Sequence, residues 1–542
     1  MSYQKDLIRR KKKLSKFWKE ENCVTLLFLL PLYCSWIYCY TDAGKILAIF
    51  PYQGRSHNVM FEPLMTGLAR AGHSVDVVSH FPPENPIPGF NHISLKGTLH
   101  FYVNNMTASK ARKMVSFTGA LNFISYREPK DLCNLMRLPQ LQNILNTKTK
   151  YDVMMIEIFG TNCFLAVAHK LKLPVIGVVS SGMYPWAYDP FFASDNPSYI
   201  PTQLAGFSSR MSFLERLQNL YVHVLSKLLF FYYDKTVSNP LAKKYVPDTP
   251  PLNDIYYNMS LVLVNSHRSI NGARPISPAV IEVAGVHING TTELPEELDA
   301  FLNSSTAGIV YFSMGSMVKS ETISIEKIQA IYKSFSELSG YKVLWKGKVE
   351  EMPKGLPSNV KMIPWAPQYP ILRHPNVKAF VTHGGLMGTQ EAVHAGVPMI
   401  GIPFFADQTS NIAGYVQQGI AVRLNYDDIT TDSFSNALRE VLTNPKYKSN
   451  IERVSRLFKD RPLSPIDEAV YWVEYVIRNG GESLKSSALH LYWFQYYLID
   501  VGLFLLAITT LVLIIGFLII IKAVSILSAV WVEATMSCLN PL

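Results

Sequence analysis

Residues 365–408 read WAPQYPILRHPNVKAFVTHGGLMGTQEAVHAGVPMIGIPFFADQ. Within them Val377–Thr382 is a short apolar run of strand length. The turn Thr382-His383-Gly384-Gly385 follows, then a helical stretch near Thr389–His394, then a second apolar run at Met399–Pro403. Strand, glycine turn, helix and strand make a βαβ unit, whose right-handed crossover sets its strands parallel. The pattern continues outward. Gly308–Ser313 (GIVYFS) is a strand, Ile325–Leu338 a helix, and Lys342–Trp345 and Val360–Ile363 are further strands. The N-terminal half repeats it: a strand at Ile46–Phe50, the loop PYQGRSHN at 51–58, a helix at Phe61–Arg70 ending at Ala71-Gly72, and a strand at Ser74–Ser79. Val153–Phe159 and Val175–Ser180 add strands around a helix at Asn162–Leu171. Alternation on both sides of a Pro-, Gly- and Asn-bearing stretch, Ser266–Gly290, predicts an α/β protein of two doubly wound domains, residues 42–280 and 281–490. A chain of 542 residues is long enough for both.

Composition narrows the class. Apolar residues make up 48% and charged residues 17%, which excludes a disordered polyampholyte. The formal charge is +10, but half of the excess lies within residues 1–22, so the body lacks the basic face of a nucleic-acid binder. Arg9–Lys13 ahead of the apolar run Cys23–Tyr40 has the layout of a secretory signal; residues 1–41 are read as that signal, cleaved near Thr41, with an uncleaved anchor as the alternative. Val501–Ile521 carries no charge and at ~1.5 Å per residue reaches ~31 Å, the apolar thickness of a bilayer. Tyr492, Trp493, Phe494, Tyr496 and Tyr497 precede it, where interfacial aromatics belong. The expectation is a single transmembrane helix at 501–521 in contact with membrane lipid, a luminal body, and a cytoplasmic tail at 522–542. Sequons at Asn105, Asn258, Asn289 and Asn303 agree with luminal exposure. Of six cysteines only Cys133 and Cys163 fall in the body; a disulfide and two buried thiols both stay open. A long helix is predicted at Met211–Tyr233. Its stripe of Leu214, Leu217, Leu220, Tyr221, Val224, Leu228 and Leu229 is read as the face packed on its own domain, with a lid over an apolar pocket or a membrane-touching patch as alternatives.

Ligands of α/β domains bind at the carboxyl ends of strands. The polar residues that follow strands are His57, Glu157, the turn Ser313-Met314-Gly315-Ser316, Thr382-His383-Gly384-Gly385, and Asp407-Gln408. Glycines ahead of a helix N-terminus suit a phosphate or diphosphate. The chain has no D-x-D triplet and no Cys/His cluster at zinc spacing, so no metal is expected.

Trp365-Ala-Pro-Gln368, His383-Gly-Gly, Glu391-Ala, Gly396-Val-Pro and Pro403-Phe-Phe-Ala-Asp407-Gln408 together resemble the signature of UDP-glycosyltransferases. The wider likeness, including Phe312-Ser-Met-Gly-Ser316 and Trp493-Phe-Gln-Tyr496, is to the membrane-bound animal enzymes, with an insect-type wording. The resemblance implies twin Rossmann-like (GT-B) domains, the first for a small lipophilic acceptor and the second for a UDP-sugar cosubstrate, with no further cofactor. By the same resemblance Trp365 stacks on uracil and Gln368 holds the uracil or ribose edge. Glu391 accepts from the ribose hydroxyls, and Ser316, Thr382, His383, Gly384 and Gly388 surround the diphosphate. Asp407 and Gln408 bind the sugar hydroxyls. His57 matches the family's general base, a role that an imidazole fills at a gain of ~10²–10⁴-fold, and Glu157 stands where the family often has Asp. One displacement at the anomeric carbon inverts its configuration. Glucose is the expected sugar, with glucuronic acid second, and the endoplasmic reticulum membrane the expected location, as a type I protein. Homo- or hetero-oligomers stay open. Met387, where many relatives have Asn, and Glu157 motivate an alternative: a catalytically weak member that acts as a binding or regulatory partner.

Overall fold

The computed structural model describes residues 43–539 apart from 84, 102, 104, 114, 115 and 289–292. The signal reading of residues 1–41 and the sequon at Asn289 lie outside the described residues. Strands β1 (Lys45–Phe50), β2 (Ser74–Ser79), β3 (Phe90–Ser94), β5 (Val153–Glu157), β6 (Val175–Val179), β7 (Leu261–Val264) and β8 (Val280–Glu282) form one sheet in the order β3-β2-β1-β5-β6-β7-β8, all parallel. A second parallel sheet holds β9 (Gly308–Ser313), β11 (Tyr341–Lys346), β12 (Val360–Ile363), β13 (Val377–Thr382), β14 (Met399–Gly401) and β15 (Ala421–Arg423), in the order β12-β11-β9-β13-β14-β15. The two-residue strands β4 (Met106–Thr107) and β10 (Val318–Lys319) pair with each other and tie the halves together. Ile46–Phe50, Val153–Glu157 and Gly308–Ser313 are buried along their length, the reason they read as continuous apolar runs. The two doubly wound domains of the sequence reading are thus present.

Chain order reverses at β1, between β2 and β5, and again at β9, between β11 and β13. Such switch points open a crevice beyond the strand ends. Helix α1 (Arg55–Arg70) starts six residues before the expected Phe61, so His57 sits on its first turn rather than in a loop. The early start carries no capping signal: Gly54 is extended and offers no side chain. The buried face of α1 (Met60, Phe61, Leu64, Met65, Leu68) holds it on the sheet.

Helix α2 (Phe213–Tyr233) opens with a capping box between Ser212 and Glu215. The reading of its apolar stripe as a packing face is overturned. The buried residues are Asn219, Val222, His223, Ser226 and Phe230, while Leu214, Leu217, Leu220, Tyr221, Val224 and Leu228 are exposed and Leu229 is partly buried. The polar inner face is satisfied: Asn219 accepts from the Thr202 N–H and donates to the carbonyls of Pro197 and Ile200, and His223 lies 3.2 Å from Asp195.

Helices α3 (Leu386–Ala395) and α4 (Gln408–Gln417) follow β13 and β14 and point their N-termini at the crevice. Helix α5 (Pro465–Asn479) crosses back onto the first domain, where Ala469, Val473 and Val476 join its core and Glu474 lies 3.2 Å from His73. Helix α6 (Ile499–Leu539) runs unbroken through Lys522 into the segment read as the tail, and Ile499–Ser537 is long and apolar enough to cross a membrane. Cys133 and Cys163 form a disulfide, with Cα atoms 5.8 Å apart.

Candidate active site

The pairing of β1 with β5 at the first switch point brings together the residues that follow those strands. Glu157 ends β5, and its Oε1 lies 2.5 Å from His57 Nδ1. Ser180, just past β6, donates to the same Oε1 at 2.8 Å and lies 3.0 Å from Nδ1. The rings of Tyr52 and Phe159 pack on the imidazole at centroid distances of 4.4 and 4.8 Å and hold its plane. Glu157 is buried behind the ring. A carboxylate on Nδ1 keeps the proton there and the lone pair on Nε2. Asp152 accepts instead from the backbone N–H of Lys45 at 2.7 Å, a structural role.

The second switch point assembles the other predicted residues. Trp365 is 56% exposed, a large indole open at the crevice, with the Lys346 ammonium 4.4 Å from its ring centroid. Gln368 bridges Tyr311, which donates to its Oε1 at 3.3 Å, and Glu391, whose Oε2 accepts from its Nε2 at 2.6 Å. Burial lifts the Glu391 carboxyl to about 7, the Gln368 hydrogen bond pulling the other way. Gly388 leaves room for Gln368; a Cβ there would lie 2.8 Å from its Nε2. Thr382 Oγ1 accepts the Gly384 N–H at 3.2 Å. His383 is pushed down to about 4, first by burial and then by Lys346, so its imidazole is neutral. Its Nδ1 is buried without a partner among the described residues. The ring lies so close to Gly315 (φ +76°) that a Cβ there would come within 2.4 Å. Lys346 donates to the Gly315 carbonyl at 2.6 Å, and burial lowers its ammonium to about 8. Ala406, at φ +54°, turns the chain into Asp407. Burial raises the Asp407 carboxyl, while hydrogen bonding by Asn411 and by its own backbone N–H draws it back. Gln408 Oε1 is taken by the N–H groups of Phe404 and Phe405 at 2.8 and 3.1 Å.

Both domains line one cavity of about 400 Å³, a size that holds a small ligand. Its wall includes His57, Ser316, Trp365, Gln368, Thr382, His383, Gly388, Glu391, Asp407 and Gln408. Two predicted residues stay behind the wall: Glu157, which reaches the cavity through His57, and Gly384, whose φ of +86° shapes the turn. Asn105, Asn258 and Asn303 are exposed and lie outside it.

Sequence reasoning passed over Ser180, Lys346, Tyr311 and Asn265. Ser180 and Asn265 come just after strands and Lys346 ends one, so the strand-end rule that found the others covers them too. Asn265 joins the domains. Its Nδ2 donates to the Ser180 carbonyl at 2.9 Å and lies 3.3 Å from Met387 Sδ, and its Oδ1 accepts from Gln390 Nε2 at 2.8 Å. Met387 therefore belongs to the seam between the domains.

Residues 90–531 match the family model described as "UDP-glucoronosyl and UDP-glucosyl transferase". UDP-glucosyltransferase 2 of Dactylopius coccus is 36% identical over 470 residues, covering 86% of this chain and 90% of its own length. UDP-glucuronosyltransferase 2A3 of Homo sapiens is 31% identical over 520 residues, covering 90% and 94%. Among solved structures, the calicheamicin glycosyltransferase CalG4 superposes with a TM-score of 0.55 at 18% identity, over 81% of this chain and 99% of its own. This likeness shows a shared two-domain glycosyltransferase fold.

Proposed function

The chain belongs to the UDP-glucuronosyl and UDP-glucosyl transferase family, and from that premise we propose that it moves glucose from UDP-glucose to a hydroxyl of a small lipophilic acceptor, with inversion. The observation that carries the reading is the His57–Glu157 pair at 2.5 Å, set in the wall of a cavity that both domains share. The acceptor hydroxyl gives its proton to His57 Nε2 as its oxygen attacks the anomeric carbon. The bond from that carbon to the diphosphate breaks, and its electron pair leaves with UDP. An α-linked donor yields a β-glycoside. Glu157, through Nδ1, stabilises the imidazolium that forms.

On the donor side the open face of Trp365 takes the uracil and Glu391 the ribose diol. The orphaned Nδ1 of His383, Lys346 and the N-terminal N–H groups of α3 take the diphosphate. Asp407 and the amide N–H groups of Gln408 take the sugar hydroxyls. These groups stabilise the departing charge without a metal. Glucose is favoured over glucuronic acid because Lys346 is the one Lys or Arg among the described lining residues, and it is held against Trp365 and Gly315. Among the described lining residues no second Lys or Arg is then left to pair with a sugar carboxylate. We place the protein in the endoplasmic reticulum membrane, anchored by α6 with its domains luminal; the disulfide fits that oxidising compartment. Glycans on Asn105, Asn258 and Asn303 belong to the same reading.

The test is UDP release in insect-cell microsomes from UDP-glucose, with UDP-glucuronic acid in parallel and phenolic and steroid acceptors present. Acceptor-dependent turnover with UDP-glucose is expected to fall ~10²–10⁴-fold in His57→Ala and at least ~10²-fold in Glu157→Gln, with UDP still bound. Turnover that survives in His57→Ala removes the base; preference for UDP-glucuronic acid reverses the sugar assignment.

A further inference from the structure

Helix α2 is built inside out. Its inner face carries Asn219, His223 and Ser226, each hydrogen-bonded or ion-paired within the domain. Its outer face carries Phe213, Leu217, Leu220, Tyr221, Val224 and Leu228, all exposed; Tyr221 and Leu228 are each 62% open. At 100° per residue these six fall within an arc of about 100°, and at ~1.5 Å per residue the stripe runs for about 23 Å. A soluble surface leaves single apolar side chains in water, not a continuous row of them.

The base of the C-terminal helix lies beside the row. Leu220, Val224 and Leu228 share one groove with Tyr496 and Tyr497, which immediately precede α6. Tyr496 packs on Phe192 at 5.3 Å between ring centroids, so the foot of the anchor is fixed to the first domain next to α2. Tyr492, Trp493 and Tyr497 are exposed at that foot, and aromatic residues in this position sit at the headgroup level of a bilayer. The part of the stripe from Leu220 to Leu228 is therefore held beside the aromatic foot of the anchor, the level at which apolar side chains of an interfacial helix meet lipid.

We propose that the outer face of α2 is a second membrane contact, seated in the phospholipid surface beside the anchor, so that the first domain lies on the bilayer rather than hanging from it. This inference rests on the reading of α6 as a membrane span. Continuity with the anchor's foot selects lipid as the occupant over a second copy of the chain.

The experiment uses the full chain in nanodiscs that hold one copy each, made with a phosphatidylcholine bearing a diazirine on its acyl chain. After irradiation the adducts are mapped by peptide mass spectrometry. Adducts are expected on peptides from 213–232 as well as on those from 499–521. In Leu217→Lys/Tyr221→Lys/Leu228→Lys the α2 adducts are expected to drop at least fivefold with the α6 adducts unchanged. Turnover with a water-soluble acceptor reports that this variant is folded. Adducts on 499–521 with none on 213–232 overturn the proposal while leaving the anchor. Adducts on neither overturn the anchor reading and the proposal with it. Stripe-to-stripe cross-links in discs of two copies, with no lipid adducts on the stripe, assign the face to a second copy.

Discussion

At the residue scale, two buried ionisable groups in the second domain are displaced towards neutrality from opposite sides. Glu391 is lifted to about 7 by burial, and Lys346 is lowered to about 8 by burial. A ribose diol donates to a carboxylate, so donor binding favours charged Glu391 and expels its proton; affinity then rises with pH up to about 7. A diphosphate favours charged Lys346, so binding takes up a proton above about 8 and affinity falls there. UDP-glucose has no titrating phosphate near these values, so the protein's own groups set the profile. Its affinity is expected to peak between about pH 7 and 8, by isothermal titration. Glu391→Gln should flatten the acidic limb and Lys346→Met the basic limb. A flat profile in the parent protein sinks the assignment of both groups to the donor.

At the element scale, the seam is made by α3 lying against the end of β7. Asn265 is its hinge pin: it takes the Gln390 amide from α3 and gives its own amide to the Ser180 carbonyl, one residue from the His57–Glu157 pair. Asn265→Ala leaves buried polar groups on both domains without partners, a cost of about 1–3 kcal/mol. The expected result is a kcat lowered ~10-fold or more, with UDP-glucose affinity within threefold and the parent's pH profile shifted. Lost thermal stability with kcat and pH profile unchanged would reduce Asn265 to a structural part. The strands that carry the site were legible because each is a buried apolar run closed by glycine or proline, as in GIVYFS and VKAFVT. So was the glycine turn at Thr382–Gly385, by the strand-end rule, while the roles proposed for Trp365, Gln368 and Glu391 came from the family resemblance alone. The outward face of α2 was not. Periodicity reports that an apolar face exists, but Asn219 and His223 are drawn inward by partners at 195–202, which the period does not contain. The early start of α1 was hidden for a simpler reason, since Gly54 offers no capping side chain.

At the scale of the whole molecule, the two domains are clasped around the cavity from several sides. Ser410 on α4 donates to the Gln203 carbonyl and accepts from the Gly206 N–H, β4 pairs with β10, and α5 returns to the first domain's core. The two domains are thus braced against each other by the fold itself, while the loop after β5 also carries a covalent tie. Cys163 lies six residues beyond Glu157 and is bonded to Cys133 across 30 residues of chain. In the chain-entropy model such a loop contributes about 3–4 kcal/mol. At ~2–4 °C per kcal/mol for domains of this size, Cys133→Ser/Cys163→Ser should lower Tm by roughly 6–15 °C. The functional loss should be one-sided. The bonded segment carries Glu157 and none of the residues proposed for UDP-glucose, so acceptor turnover should fall well before UDP-glucose affinity does, and a reductant should reproduce this on the parent protein. Alkylation of Cys133 and Cys163 in unreduced protein, located by peptide mapping, or a Tm indifferent to reductant, would show that the bridge does not form in solution. Equal losses of turnover and donor binding would show that the tie braces both domains rather than the base and its carboxylate alone.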